Sequence, residues 1–246
     1  MLLARAVVVA SGFDRVPRIP AFAADLDHAV VQLTADSYRT PAQVPPGPVL
    51  MVGAGNSGAE IALDLAPTHE VYLSGRHPGE LPWHITSPLG RPLGRMVFWA
   101  FGHILTMSTP VGRRARDNLL AHSGPLIRVK SRDLTAAGVQ RVGRVTGVAG
   151  GRPVVADGEL PAIAAVVWCT GFDPDDSWID LPVFAADGSV RQVRGVSDDV
   201  PGLFFLGRLF QYSLASSMIH GVVRDAADVA KAVTAHVRSE QPAHAS

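Results

Sequence analysis

The chain has 246 residues, 47% of them apolar, enough for one large domain or two small ones with real cores. Its 22 basic and 22 acidic residues cancel, so no net field draws it to nucleic acid, and no nucleic-acid partner is expected. The one cysteine, Cys169, excludes an intrachain disulfide framework and a multi-cysteine zinc site, and no metal is expected.

Taken in chain order, Met1-Leu2-Leu3-Ala4-Arg5 shows no charged region followed by a long apolar one. No signal peptide is read, and a reducing, cytoplasmic location is expected. Ala6-Val7-Val8-Val9-Ala10 predicts a short buried strand, closed by Ser11-Gly12. Prolines 17, 20, 41, 45, 46 and 48 punctuate the next stretch, which reads as loop. Residues 49–52 predict a second buried strand, and 59–66 carry helical spacing that Pro67 stops. Residues 70–73 predict a third strand. After a polar, proline-rich loop, helices are expected over 96–107 and 111–122. The apolar run 96–107 is too short to span a bilayer. Residues 139–148 and 152–156 read as a ribbon turning at Gly150-Gly151, and 164–169 as a buried strand closed by Thr170-Gly171. Residues 203–206 predict the last strand, ending at Gly207. Residues 213–237 read as one helix, followed by a loose tail over 239–246. Strands alternating with helices predict an α/β fold with a parallel sheet.

The most informative segment follows Val52: Gly53-Ala54-Gly55-Asn56-Ser57-Gly58, a GxGxxG between an apolar strand and a helix. In such a turn the first glycine permits the sharp bend. The second lets the backbone approach a pyrophosphate, and the third lets helix and strand pack closely. Free N–H groups opening the helix then face the anion. The end of the next strand reads Ser74-Gly75-Arg76-His77, where an acid would bind a ribose 2′-hydroxyl. Arg76 instead suits a 2′-phosphate in a bidentate manner, with His77 beside it. Binding of NADP(H) in preference to NAD(H) is expected.

At these residues the chain resembles the flavin-containing monooxygenase family. The resemblance is carried by Ala6-Val7-Val8-Val9-Ala10-Ser11-Gly12-Phe13, Asp36-Ser37-Tyr38-Arg39-Thr40-Pro41 and residues 52–58. It continues through 74–78, Trp168-Cys169-Thr170-Gly171-Phe172 and 202–207. It implies an α/β flavoprotein with two dinucleotide-binding domains, in which a Rossmann-like NADP-binding domain is inserted in a partial FAD-binding domain. Residues 1–46 and 139–246, including the strands at 6–10 and 164–169, would form a residual FAD-type lobe. Residues 47–138 would form the NADP-binding domain with a helical insertion. The resemblance further implies FAD as a cofactor, with Gly12 and Gly171 at strand-end crossovers and Gly207 near the flavin. NADPH would reduce FAD, and a small organic substrate would be oxygenated.

Two departures are visible. The family's earlier GxGxxG, for the FAD pyrophosphate, has no counterpart, since the only such turn here is 53–58. The family's Phe, Gly and His ahead of a Tyr meet His28, Val30 and Thr34 here, with only Tyr38 matching. The alternative reading is therefore a truncated NADP(H)-binding module without FAD or turnover. A third reading takes 96–107, with Arg113, Arg114 and Arg116 behind it, as a peripheral membrane contact.

No catalytic side chain is assigned, because the flavin would do the chemistry. His69, His77, His84, His103, His122 and His220 show no ligand spacing. Cys169 reads as inert packing, and Asp173, Asp175 and Asp176 as a solvated acidic loop. No GxSxG elbow supports hydrolase chemistry. Without a covering lobe, the strands at 6–10 and 164–169 are expected to expose apolar faces and to promote self-association.

Overall fold

The computed structural model describes residues 3–12, 16–85, 87–88, 90–121 and 124–239. Phe13, His122 and the tail 240–246 lie outside the described residues.

The elements in chain order are β1 (Val7–Val9), β2 (Val16–Pro17), β3 (Val31–Thr34), β4 (Val49–Val52), α1 (Asn56–Leu65) and β5 (Val71–Ser74). Then come α2 (Gly90–His103), α3 (Pro110–Ala121), α4 (Ser131–Ala136), β6 (Gln140–Val142), β7 (Val145–Ala149) and β8 (Arg152–Val155). The last are β9 (Ala165–Trp168), β10 (Phe172–Asp173), β11 (Gln192–Val193), β12 (Val196–Ser197), β13 (Leu203–Phe205) and α5 (Val222–Ser239). They fall into two compact units. One, continuous in sequence except for a break at 94–120, holds Val16–Leu93 and Ala121–Asp173; the other holds Met1–Arg15, Gly94–Leu120 and Pro174–Ser246.

The first unit is built on a five-stranded sheet of order β3-β9-β4-β5-β6, parallel throughout. Alternate residues point to opposite faces of a strand, and both faces are covered here. Val49, Met51, Leu73, Ala165 and Val167 face one core together with Ala59, Ala62 and Leu65 of α1. Leu50, Val52, Tyr72, Val166 and Trp168 face a second core with Ala23, Leu26 and Val145. That two-sided burial explains why β4 and β9 are uninterrupted apolar runs. Tyr38 is buried in the first core, and its hydroxyl donates to Asp64 of α1 at 2.6 Å.

The sequence reading sets the strand at 164–169 in the residual FAD-type lobe. The structure places β9 between β3 and β4, in register Val49↔Ala165 to Val52↔Trp168. Its apolar faces are covered rather than exposed, with all four residues buried. A run apolar on both faces fits a central parallel strand, but which sheet it joins is a non-local choice. The expected ribbon at 139–156 also divides. β6 pairs in parallel with β5, and only β7 and β8 form a hairpin, around Gly150-Gly151. The breaks between the two units fall at different positions from the sequence-based boundaries at 46/47 and 138/139.

In the second unit, β1 pairs in parallel with β13, β13 pairs antiparallel with β12, and β12 antiparallel with β11. Val9, Ile179, Val183, Leu203 and Phe205 make its core. Among the described residues β1 lies at one edge of this sheet; the run reads as a buried strand, but Val7 and Val8 are 50% and 42% exposed and only Val9 is buried. The single helix expected over 213–237 is broken. A 3-10 turn, Leu214–Ser217, comes first, and α5 starts only at Val222. The Ser216 hydroxyl accepts from the backbone N–H of Tyr212 and of Ser213, at 2.9 and 3.0 Å, which fixes the turn as a separate element.

Candidate functional site

The site is assembled where β4 ends and α1 begins. The N–H of Gly53 donates to the Ser74 carbonyl at 2.9 Å, so the turn is tied to the end of β5. Gly53 has φ +113°, and a Cβ there would lie 2.1 Å from the Cys169 carbonyl oxygen. A Cβ on Gly58 would lie 1.8 Å from the Gly53 carbonyl oxygen. Both contacts are with backbone, which cannot yield as a side chain would. Only glycine fits either position. Gly55 is the N-cap of α1, with φ −73° and no side-chain cap. The N–H groups of Asn56, Ser57 and Gly58 open the helix, where no intrahelical acceptor exists. Such an arrangement can accommodate an anion, with the positive end of the helix dipole behind it.

The sequence groups Gly53, Ala54, Gly55, Asn56, Ser57 and Gly58 as one binding turn, and the structure brings them together. One of them carries a role that the sequence reading misses. The Asn56 side chain accepts from the Ile127 N–H at 2.9 Å and donates to the Pro125 carbonyl at 3.0 Å. It clamps 125–127 beside the helix start, so only its backbone N–H remains for an anion. No local pattern marks a partner some 70 positions away.

Arg76 follows Gly75, and a Cβ on Gly75 would lie 3.0 Å from the Ala54 N. The end of β5 thus lies against the turn, and Arg76, which is exposed, is two residues beyond Ser74. A second cation, Arg141 of β6, donates to the Gly75 carbonyl. Partial burial holds its guanidinium below the ordinary arginine range. The sequence reading overlooks Arg141 because β6 is expected in a ribbon rather than beside β5. His77 is engaged elsewhere. Its Nδ1 accepts from the Gly79 N–H at 3.0 Å, and its Nε2 lies 2.7 Å from the Ser131 hydroxyl and 3.7 Å from Glu80.

Gly12 and Gly207, far apart in sequence, line one cavity of about 300 Å³ in the second unit, with Ala10, Leu206, Ser216–Ile219 and Val222. They stand at the ends of the parallel strands β1 and β13, with φ +84° and +82° and open space where a Cβ would point. A ligand can reach backbone there. Gly171 belongs to the first unit and lies after β9, where its carbonyl accepts from the Arg18 N–H at 2.9 Å. The acidic loop is more structured than expected. Asp173 pairs with Arg18 at 2.5 Å, and Asp176 holds Arg208 by two hydrogen bonds of 2.6 and 2.7 Å. That bidentate pair, both side chains 10% exposed, anchors the residue after Gly207. No group of three metal-ligating residues occurs among the described residues.

Cys169, beside Gly53, packs against the first core, and burial pushes its thiol up to about 12. At pH 8 it is therefore protonated and a poor nucleophile. Native protein should take up no iodoacetamide over an hour, whereas protein unfolded in guanidinium should label fully. Rapid labelling of the folded chain, followed by mass spectrometry, would refute this placement.

Residues 1–92 match the model of the L-lysine 6-monooxygenase/L-ornithine 5-monooxygenase family. The chain is 35% identical over 227 residues to an "Uncharacterized oxidoreductase CzcO-like" of Geobacillus kaustophilus, covering 91% of this chain and 63% of that one. A flavin-containing monooxygenase from Stenotrophomonas maltophilia is 25% identical with a TM-score of 0.58, covering 95% of this chain and 63% of that one. OTEMO, solved as a complex with FAD and NADP, shares the fold at 13% identity and a TM-score of 0.54, over 96% of this chain and 62% of that one. The chain thus spans a little under two thirds of the length of the relatives it matches. The fold is a Rossmann-like domain inserted in part of an FAD-type domain, as in flavoproteins with two dinucleotide-binding domains. No described helix is long and apolar enough to cross a membrane. In sequence and in fold, the chain is similar to flavin-containing monooxygenases and to CzcO-like oxidoreductases.

Proposed function

We propose that the protein is an NADPH-dependent flavoprotein oxidoreductase that oxygenates a small organic substrate. The observation that carries this reading is the cradle at Gly53–Gly58, whose glycines admit no side chain and whose helix start has no cap. The first unit would be the NADP(H) lobe. The second would contribute to an FAD-type lobe, with Gly12 and Gly207 against the flavin. NADP(H) held at the Gly53–Gly58 turn would supply hydride chemistry, and FAD held against Gly12 and Gly207 would supply redox chemistry with oxygen.

The chain's own residues bind and orient. The N–H groups of Asn56, Ser57 and Gly58 take the pyrophosphate. Arg76 takes the 2′-phosphate, and Arg141 holds the Gly75 carbonyl that precedes it. Asn56 keeps 125–127 in place beside the phosphates. The backbone at Gly12 and Gly207 leaves room for a planar group, and Arg208 with Asp176 stiffens that end of β13.

The 246 residues hold one glycine-rich phosphate turn, so these residues alone should retain less than one flavin per chain. With FAD added in excess under air, NADPH oxidation at 340 nm should rise with FAD concentration, accompanied by oxygen uptake. NADPH binding with no such response at any FAD concentration would favour the binding module without turnover.

A further inference from the structure

The second unit holds another cavity, of about 660 Å³, between α2, residues 212–215 and the start of α5. Its volume suits one small molecule. Arg95, Trp99 and His103 follow one another at i, i+4 and i+8 on α2 and so share a face. The Trp99 and His103 rings stack with centroids 4.8 Å apart. Phe98 lines the same wall. At the mouth, Trp99 and Val223 are 55% and 69% exposed.

The opposite wall presents Arg224, held from three sides. Its guanidinium lies 4.7 Å from the Tyr212 ring centroid. One Nη donates to the Gly102 carbonyl at 2.8 Å, and the other lies 2.9 Å from His103 Nε2. His103 Nδ1 is 2.8 Å from the Trp99 carbonyl, so Nδ1 carries the proton and Nε2 accepts from Arg224. The charge of Arg224 is therefore fixed in place before any ligand arrives. None of the described residues lining this cavity is acidic.

Aromatic walls, two arginines and no carboxylate define the complement of one ligand class. We propose that this cavity binds an organic acid, with a ring-bearing apolar body against Phe98 and Trp99 and a carboxylate at Arg95 and Arg224. The inference deepens the oxidoreductase reading, and rests on it, only in naming that acid as the class of substrate. Binding itself needs neither cofactor.

Calorimetry on the full chain tests it with 3-phenylpropionate, its neutral amide and 2-phenylethylammonium. The acid should bind about ten-fold or more tightly than the amide, and the ammonium ion should not bind. Arg95→Gln should weaken the acid about ten-fold and leave the amide unchanged. Because Arg224 also holds Gly102 and His103, Arg224→Lys is the second variant, with the same expected direction. Equal affinity for acid and amide, no binding of the acid, or an acid affinity unchanged in both variants would overturn the proposal. Loss of this proposal with selective NADPH binding intact would leave the cofactor reading standing. Acid binding without NADPH binding would do the reverse.

Discussion

Gly58→Ala should abolish measurable NADPH binding. The new Cβ would lie 1.8 Å from the Gly53 carbonyl oxygen and 3.0 Å from its carbon. Neither atom can move without opening the turn, and Gly53 is itself pinned against the Cys169 carbonyl and the Ser74 carbonyl. The helix start would shift away from the strand end, and its N–H groups would no longer converge on a phosphate. A loss of at least a hundred-fold, about 2.7 kcal/mol, is expected in calorimetry. Since this variant also strains the first core, Gly55→Val provides the independent arm. Gly55 has φ −73°, which any residue adopts, so that variant should fold with an unchanged melting temperature. Its side chain would stand where the pyrophosphate approaches. Wild-type affinity in a folded Gly55→Val protein would show that the ligand lies elsewhere.

Arg76→Ala should weaken NADPH by about ten- to a hundred-fold and leave NADH unchanged. A charge-assisted contact with a 2′-phosphate contributes about 1.5–3 kcal/mol, and NADH has no such phosphate. Arg76 is exposed, so its removal should not disturb the fold. The effect should shrink as salt rises, because an exposed pair is screened. An equal loss for both cofactors would assign Arg76 a structural part instead. Arg141 is the cation most able to compensate, since it reaches the Gly75 carbonyl from β6. The double variant should therefore lose at least as much as Arg76→Ala alone.

What could be read from the sequence was local. The turn at Gly53–Gly58 announces itself because glycine spacing, the apolar β4 and the helix are contiguous. The position of Arg76 just beyond β5 is legible for the same reason. Family resemblance singles out Gly12 and Gly207, and the structure joins them at one cavity because β1 and β13 pair in parallel. The misses are non-local. β9 reads equally well as a strand of either lobe, and only pairing with β3 and β4 decides. Arg141 reaches Gly75 only because β6 pairs with β5, a non-local contact. Asn56 could be read as a turn residue but not as the clamp on 125–127. His103 and Arg224 meet across 121 positions, a contact that no helical period reveals. The 95-99-103 spacing was the one signal present, and it reads equally as a solvated helix face.

The most direct test is a titration of the unmodified chain with NADPH and with NADH at the same ionic strength. NADPH should bind ten- to a hundred-fold more tightly, roughly 1.4–2.7 kcal/mol. Equal affinities, or binding of neither cofactor by a folded chain, would contradict this.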